Sequence, residues 1–165
     1  KGKNEQQTNE KIRKVSQENL ENYRLHFAYK ITEEITLKNR IEFLKYSIGS
    51  GTAENGMLIY QDIQYRRKSF PLSLTLRFAI FETDSYNSRI YAYENDVLYA
   101  FSIPAYYDTG SRFYVVAKYH LFRGCDAWLK YAQTYYSELS SIGSGKEQIE
   151  GNTKSELKLQ LRFAF

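Results

Sequence analysis

Residues 156–165 run Glu-Leu-Lys-Leu-Gln-Leu-Arg-Phe-Ala-Phe. Every second side chain (Leu157, Leu159, Leu161, Phe163 and Phe165) is large and apolar. Those between, Glu156, Lys158, Gln160, Arg162 and Ala164, are charged, polar or small. A period of two is that of a β-strand, whose successive side chains point to opposite faces. This segment therefore predicts a strand with one apolar and one wet face. The pattern recurs upstream. Tyr23, Leu25, Phe27, Tyr29 and Ile31 alternate with Arg24, His26, Ala28 and Lys30. Leu72, Leu74, Leu76, Phe78 and Ile80 alternate with Ser73, Thr75, Arg77 and Ala79. Phe113, Val115, Ala117, Tyr119 and Leu121 alternate with Tyr114, Val116, Lys118 and His120.

Weaker segments fill the gaps. Ile35, Leu37, Ile41 and Phe43 lie opposite Lys38, Arg40 and Glu42. Met57, Ile59, Ile63 and Tyr65 mark a run near 57–67, and Ala127, Leu129 and Tyr131 lie opposite Trp128, Lys130 and Ala132. Residues 86–93 and 97–107 look like two further strands joined by a turn at Glu94-Asn95-Asp96. The expected total is about nine strands, many of them ten or more residues long, against about 5–6 in globular sheets. Residues 1–22 differ: rich in Lys, Asn, Glu and Gln, they predict a solvated loop or a poorly ordered segment.

The composition suits strands, with 16 Tyr and 10 Phe against only two Pro. No run of ~18 apolar residues predicts a transmembrane helix, and no signal peptide is visible. The net charge of +4 is scattered, which speaks against a nucleic-acid surface through this region. Three features favour lipid as the neighbour of the apolar face. The apolar rows run four or five positions without a charge. Aromatics (Tyr23, Tyr29, Tyr65, Tyr119, Phe163, Phe165) sit at their ends, where an interfacial girdle would lie. The connections sort by length, with short links at 32–34, 68–71, 94–96 and 123–126 and long, Gly-rich ones at 48–56 and 139–152. Outer-membrane barrels place tight turns in the periplasm and longer loops outside; the link at 108–110 is the exception in length.

The expected fold is thus all-β, an antiparallel transmembrane β-barrel over 23–165, in a bacterial outer membrane, with 1–22 as a polar extracellular loop. Nine strands would leave two open edges in lipid, where unpaired backbone groups cost several kcal/mol each. The chain is therefore expected to be the C-terminal part of a larger barrel. Its remaining strands would come from an upstream fragment or another chain.

The terminal Phe165 after the alternating last strand resembles the insertion signal read by the barrel-assembly machinery. Residues 83–99 (Thr-Asp-Ser-Tyr-Asn-Ser-Arg-Ile-Tyr-Ala-Tyr-Glu-Asn-Asp-Val-Leu-Tyr) carry a narrower likeness, together with Ile142-Gly143-Ser144-Gly145 and 149–156. These stretches resemble the C-terminal barrel half of large Bacteroidetes envelope proteins that carry helix-hairpin-helix domains near the N-terminus. That resemblance implies fold and location. It implies no DNA-binding residue here, because the helix-hairpin-helix part lies outside this sequence.

On this reading Arg24, His26, Lys30, Lys38, Arg40, Glu42, Arg77, Lys118, His120, Lys130, Glu156, Lys158 and Arg162 line the lumen. Leu25, Phe27, Leu74, Leu76, Phe78, Val115, Leu157, Leu159, Leu161 and Phe163 face lipid. The inward charges are read either as a channel that selects solutes or as a salt-bridge network that stiffens the barrel or holds a plug. His26 and His120 lack a second His or Cys at metal-ligand spacing. Asp84, Tyr86, Asn87, Asn95 and Asp96 are oxygen donors of the kind that bind Ca²⁺, but they fall at opposite ends of one expected strand. No catalytic residue, cofactor or metal is expected. Cys125, the only cysteine, excludes an intrachain disulfide. The expected role is non-enzymatic: a porin-like pore, a transport component or the scaffold of an envelope complex. An outer-membrane lipid-modifying enzyme and a soluble β-sandwich binding module are the alternatives.

Overall fold

A computed structural model describes residues 17–49 and 51–164; the expectations for residues 1–16 and Phe165 lie outside them. Eleven β segments follow in chain order: β1 (Glu18–Lys30), β2 (Ile35–Ile48), β3 (Glu54–Arg66), β4 (Leu72–Thr83), β5 (Ile90–Tyr91), β6 (Ala105–Tyr106), β7 (Thr109–Phe122), β8 (Cys125–Tyr136), β9 (Ser141–Ile142), β10 (Ile149–Glu150) and β11 (Thr153–Phe163). Seven of them form one antiparallel sheet, in the order β1-β2-β3-β4-β7-β8-β11. β5 with β6, and β9 with β10, make separate two-residue ladders.

The long strands arise where the period of two predicts them. β1 begins five positions earlier than the alternation from Tyr23 suggests, its first residues pairing with the end of β2 (Glu18 with Ile48, Asn22 with Leu44). The correction concerns 84–108. Its two expected strands do not join the sheet, so the sheet has seven strands rather than nine. β4 pairs directly with β7, Leu76 opposite Val115 and Phe78 opposite Phe113. The intervening segment instead folds across one face of the sheet, called the inner face below. Ile90, Ala92 and Glu94 are buried against it, while Tyr91 and Tyr93 point away. Glu94-Asn95-Asp96 is therefore not a turn at the sheet's end, and of the expected short link at 108–110 the last two residues instead begin β7.

With this insertion removed from the strand count, the connections alternate between the two ends of the sheet, and the two longest, 84–108 and 137–152, fall at the same end. Residues 31–34, 67–71 and 123–124 join strands at one end. Residues 49–53, 84–108 and 137–152 join them at the other. The tightest link carries Gly124 at φ +84°, a left-handed conformation that L side chains adopt only with strain.

The two faces differ in chemistry. On the outer face Leu25, Phe27, Leu76, Phe78, Leu157, Leu159, Leu161 and Phe163 are exposed, Phe78 at 58% and Leu159 at 71%. Its polar exceptions satisfy each other across strands: Gln61 Nε2 donates to Asn39 Oδ1 at 2.9 Å, and Gln133 Nε2 to Ser155 Oγ at 3.2 Å. The inner face buries an aromatic and aliphatic cluster near the long-loop end, including Leu58, Phe81, Ile90, Tyr106 and Tyr136. Phe81 meets Tyr106 and Tyr136 edge-on at 5.4 and 5.8 Å. Charged residues occupy the middle of this face.

Gly56 on β3 lets the insertion approach. A Cβ there would collide with the carbonyl oxygen of Ser88, a buried residue of the insertion. A Gly56→Ala variant is expected to lose about 1–3 kcal/mol through this overpacking, read as a lower denaturant midpoint.

Candidate functional site

The most densely connected constellation is a band of ion pairs between the inner face and the insertion. It is built by alternation, which places Arg40 and Glu42 of β2, Asp62 of β3, Arg77 of β4, Arg112 of β7 and Lys130 of β8 on one side. Register makes neighbours of the opposite charges, Arg24 facing Glu42 and Asp62 facing Arg77.

Three carboxylates anchor the band. Glu42 accepts from Arg24 Nε and Nη2 at 3.0 and 2.9 Å, from Asn22 at 2.7 Å, and from Arg40. Asp62 accepts both prongs of Arg77, at 2.5 and 2.8 Å. That guanidinium also stacks 3.6 Å from the Tyr60 ring and donates to the Tyr93 carbonyl at 2.7 Å, which ties the insertion to β4. Glu94, at 0% exposure, accepts both prongs of Arg112 at 2.6 and 2.8 Å, the Tyr106 hydroxyl at 2.8 Å and Lys130 Nζ at 3.4 Å. Asp96 completes the chain of contacts, accepting from Lys130 at 3.0 Å and from Lys158 on the edge strand β11 at 2.8 Å.

Burial alone would raise the pKa of these two insertion carboxylates. For Glu94 the Arg112 and Tyr106 hydrogen bonds and the Lys130 charge outweigh it and hold the group below its usual value. For Asp96 the hydrogen bonds from Lys158, the Val97 amide and Lys130 do the same. Both are anions at neutral pH, and the insertion is held down by charge-assisted bonds to five strands of the sheet, β2, β4, β7, β8 and β11.

A smaller cluster sits nearer the short-turn end. Asp126 lies 2.9 Å from His120 Nδ1, 2.5 Å from Arg162 Nη2 and 3.9 Å from Lys118 Nζ. Trp128 lies below Lys118 and Arg162, with cation-to-ring distances of 5.0 and 5.7 Å. A His–carboxylate hydrogen bond is one element of a hydrolytic relay, but among the described residues no hydroxyl or thiol is hydrogen-bonded to this imidazole. Nor do any three His, Cys, Asp or Glu side chains among them gather where they could hold a metal ion. Cys125 is buried.

All the charged residues expected to line an interior project from the inner face, and all ten expected to face lipid project from the outer one, Leu74 and Val115 half-buried there. Arg24, Arg40, Glu42, Arg77, Lys118, His120, Lys130, Glu156, Lys158 and Arg162 enter ion pairs. His26, Lys30 and Lys38 share that face without an ion pair among the described residues. Sequence reasoning missed Asp62, Arg112, Asp126 and Glu94, and weighed Asp96 only as a cation ligand. The first two lie on the polar parity of their strands and were findable there. Asp126 was assigned to a turn, and the other two to a turn that does not exist. Asp84 meets the Asn55 amide at 2.7 Å beside the long-loop end, away from Asn95 and Asp96, so the five oxygen donors considered above do not form one site. Compared with protein-family models, with curated proteins and with solved structures, the chain has no match in any of the three.

Proposed function

We propose that this sheet is part of the wall of a transmembrane β-barrel in a bacterial outer membrane. The barrel would serve as a non-enzymatic pore, transport component or scaffold of an envelope complex. The observation that carries the reading is the inverted polarity. Leucines and phenylalanines crowd the exposed face, while the buried face holds paired arginines, lysines and carboxylates. A water-soluble sheet does the reverse, because large exposed apolar patches drive association and buried charges are costly. A barrel in lipid needs an apolar outside and tolerates a polar inside. No helix among the described residues is long and apolar enough to cross a membrane, so the strands would do so. Those of the main sheet hold 11 to 14 residues, enough for the ~9–11 a crossing requires.

The edges support completion by further strands. Among the described residues β1 and β11 each have one side unpaired, and lipid offers no hydrogen-bond partners for such free N–H and C=O groups. The insertion also exposes Tyr99 (88%) and Phe101 (77%). Additional wall would cover both. The short turns would lie in the periplasm and the longer connections outside. The likeness of 83–99 and 142–156 to Bacteroidetes envelope proteins agrees with this setting.

The test uses Trp128, the only tryptophan, which lies buried on the inner face. In vesicles carrying brominated acyl chains, a Phe78→Trp variant is expected to show strong quenching of the new fluorophore while the Trp128 emission stays unquenched. Emission from the introduced indole that is quenched by iodide from water and untouched by bromolipid would overturn the reading.

A further inference from the structure

Two recesses lie along the inner face between the β1–β2 wall and the insertion. The larger, about 620 Å³, opens beside Glu18, Asn22, Tyr46 and Arg89. The smaller, about 270 Å³, is bordered by His26, Lys38, Arg40, Asp62, Arg77 and Tyr93. Arg24 borders both. Along β1 the inward positions 18, 20, 22 and 24 belong to the first, and 24 and 26 to the second. The recesses are thus stacked end to end along the strand, the smaller nearer the short turns.

The charges around the smaller recess do not balance. Arg24, Lys38, Arg40 and Arg77 supply four permanent cations. Two carboxylates answer them: Asp62 is taken up by both prongs of Arg77, and Glu42 by Arg24 and Arg40. Lys38 and His26 have no side-chain hydrogen bond or ion pair among the described residues. Arg40, which is 7% exposed, keeps a buried Nε without an acceptor. The only acceptors the insertion offers to these guanidiniums are backbone carbonyls, Tyr91 to Arg40 and Tyr93 to Arg77. An uncompensated excess of fixed cations in a confined space concentrates anions, and guanidinium and ammonium groups bind oxyanions by charge-assisted hydrogen bonds.

We infer that the smaller recess is a binding site for a small oxyanion, a carboxylate or phosphate group, with Lys38 and His26 as its free donors and Arg24 at its entrance. This rests on the barrel reading only in that the recess then faces the interior passage and favours anionic solutes there. The binding itself is testable without conduction.

Inorganic phosphate is titrated calorimetrically into the full chain in an uncharged detergent, without other oxyanions. Wild type is expected to bind one phosphate per chain. Lys38→Gln is expected to weaken it about tenfold, and Lys38→Glu to abolish it, with the denaturation midpoint unchanged because the Lys38 side chain makes no hydrogen bond or ion pair among the described residues. His26→Ala is a second variant, expected to weaken binding several-fold. Absence of phosphate binding by wild type, or equal binding by Lys38→Glu, would overturn the site. The bromolipid experiment on Phe78→Trp reports separately on the membrane setting, so a failed site and a failed barrel give different results.

Discussion

Glu94→Ala is expected to lower the stability of the folded protein by about 3–5 kcal/mol, the usual cost of removing one partner from a buried ion pair. The side chain is fully buried and carries four contacts: two from Arg112, one from Tyr106 and one from Lys130. Its loss leaves Arg112 with only Thr134 at 2.7 Å, and Lys130 with only Asp96. Neither cation can reach bulk water, since Lys130 is 0% exposed and Arg112 8%. The denaturant midpoint in detergent measures the loss, with Glu138→Ala, an exposed loop residue, as a near-neutral control. A change below about 1 kcal/mol would mean that the insertion does not depend on this carboxylate. The pH dependence follows in sign. The folded state holds the Glu94 carboxyl below its ordinary value of 4.5, so its contribution is fully present above that value. It disappears as the pH falls through the lower, folded value. Acid release of the insertion is therefore expected below the ordinary carboxylate range, with none between pH 7 and 5.

Leu76→Arg carries the second large effect and reports on the solvent of the outer face. Leu76 sits on the central strand β4, opposite Ile63 on one side and Val115 on the other, and is 42% exposed. At the midplane of a bilayer an arginine on the lipid face costs ~2–4 kcal/mol, and near the interface ~0–1. Phe163→Arg, at the short-turn end of β11, supplies the interfacial comparison. Folding equilibria in lipid vesicles should show the larger penalty for Leu76→Arg and the smaller for Phe163→Arg. Were the face in water, both changes would fall within about 0.5 kcal/mol, as surface substitutions do.

The seven long strands were legible because each presents one mainly apolar face and one mainly polar face. That division writes itself as strict alternation, as in Leu157 to Phe163. The insertion misled for a physical reason. Ile90, Ala92 and Glu94 are buried while Tyr91 and Tyr93 are exposed, so the segment does carry a period of two. An extended chain laid flat on a sheet produces the same pattern as a strand hydrogen-bonded within one, and nothing in the residues separates the cases. Glu94, between two tyrosine-rich runs, had the composition of a hairpin tip. Its partner Arg112 lies 18 positions downstream and Lys130 lies 36, and only the packing of 84–108 against β7 and β8 brings them together. Asp62 and Arg77 were visible as charges on the wet face. That they meet depends on the β3–β4 register, which fixes Asp62 directly opposite Arg77.

The Asp96–Lys158 bond spans 62 positions and ties the insertion to the edge strand β11. Every pairing in the main sheet joins strands that follow one another along it, so hairpins can form successively as the chain emerges, at little loop-closure cost. Residues 84–108 do not share that freedom. They lie across the inner surface, held by Arg77, Arg112, Lys130 and Lys158 from four different strands. Their docking is complete only once β11, the last of these strands in chain order, has paired with β8. β11 is both an edge strand of the sheet and a contact of the docked segment, so its pairing couples completion of the sheet to docking of the insertion.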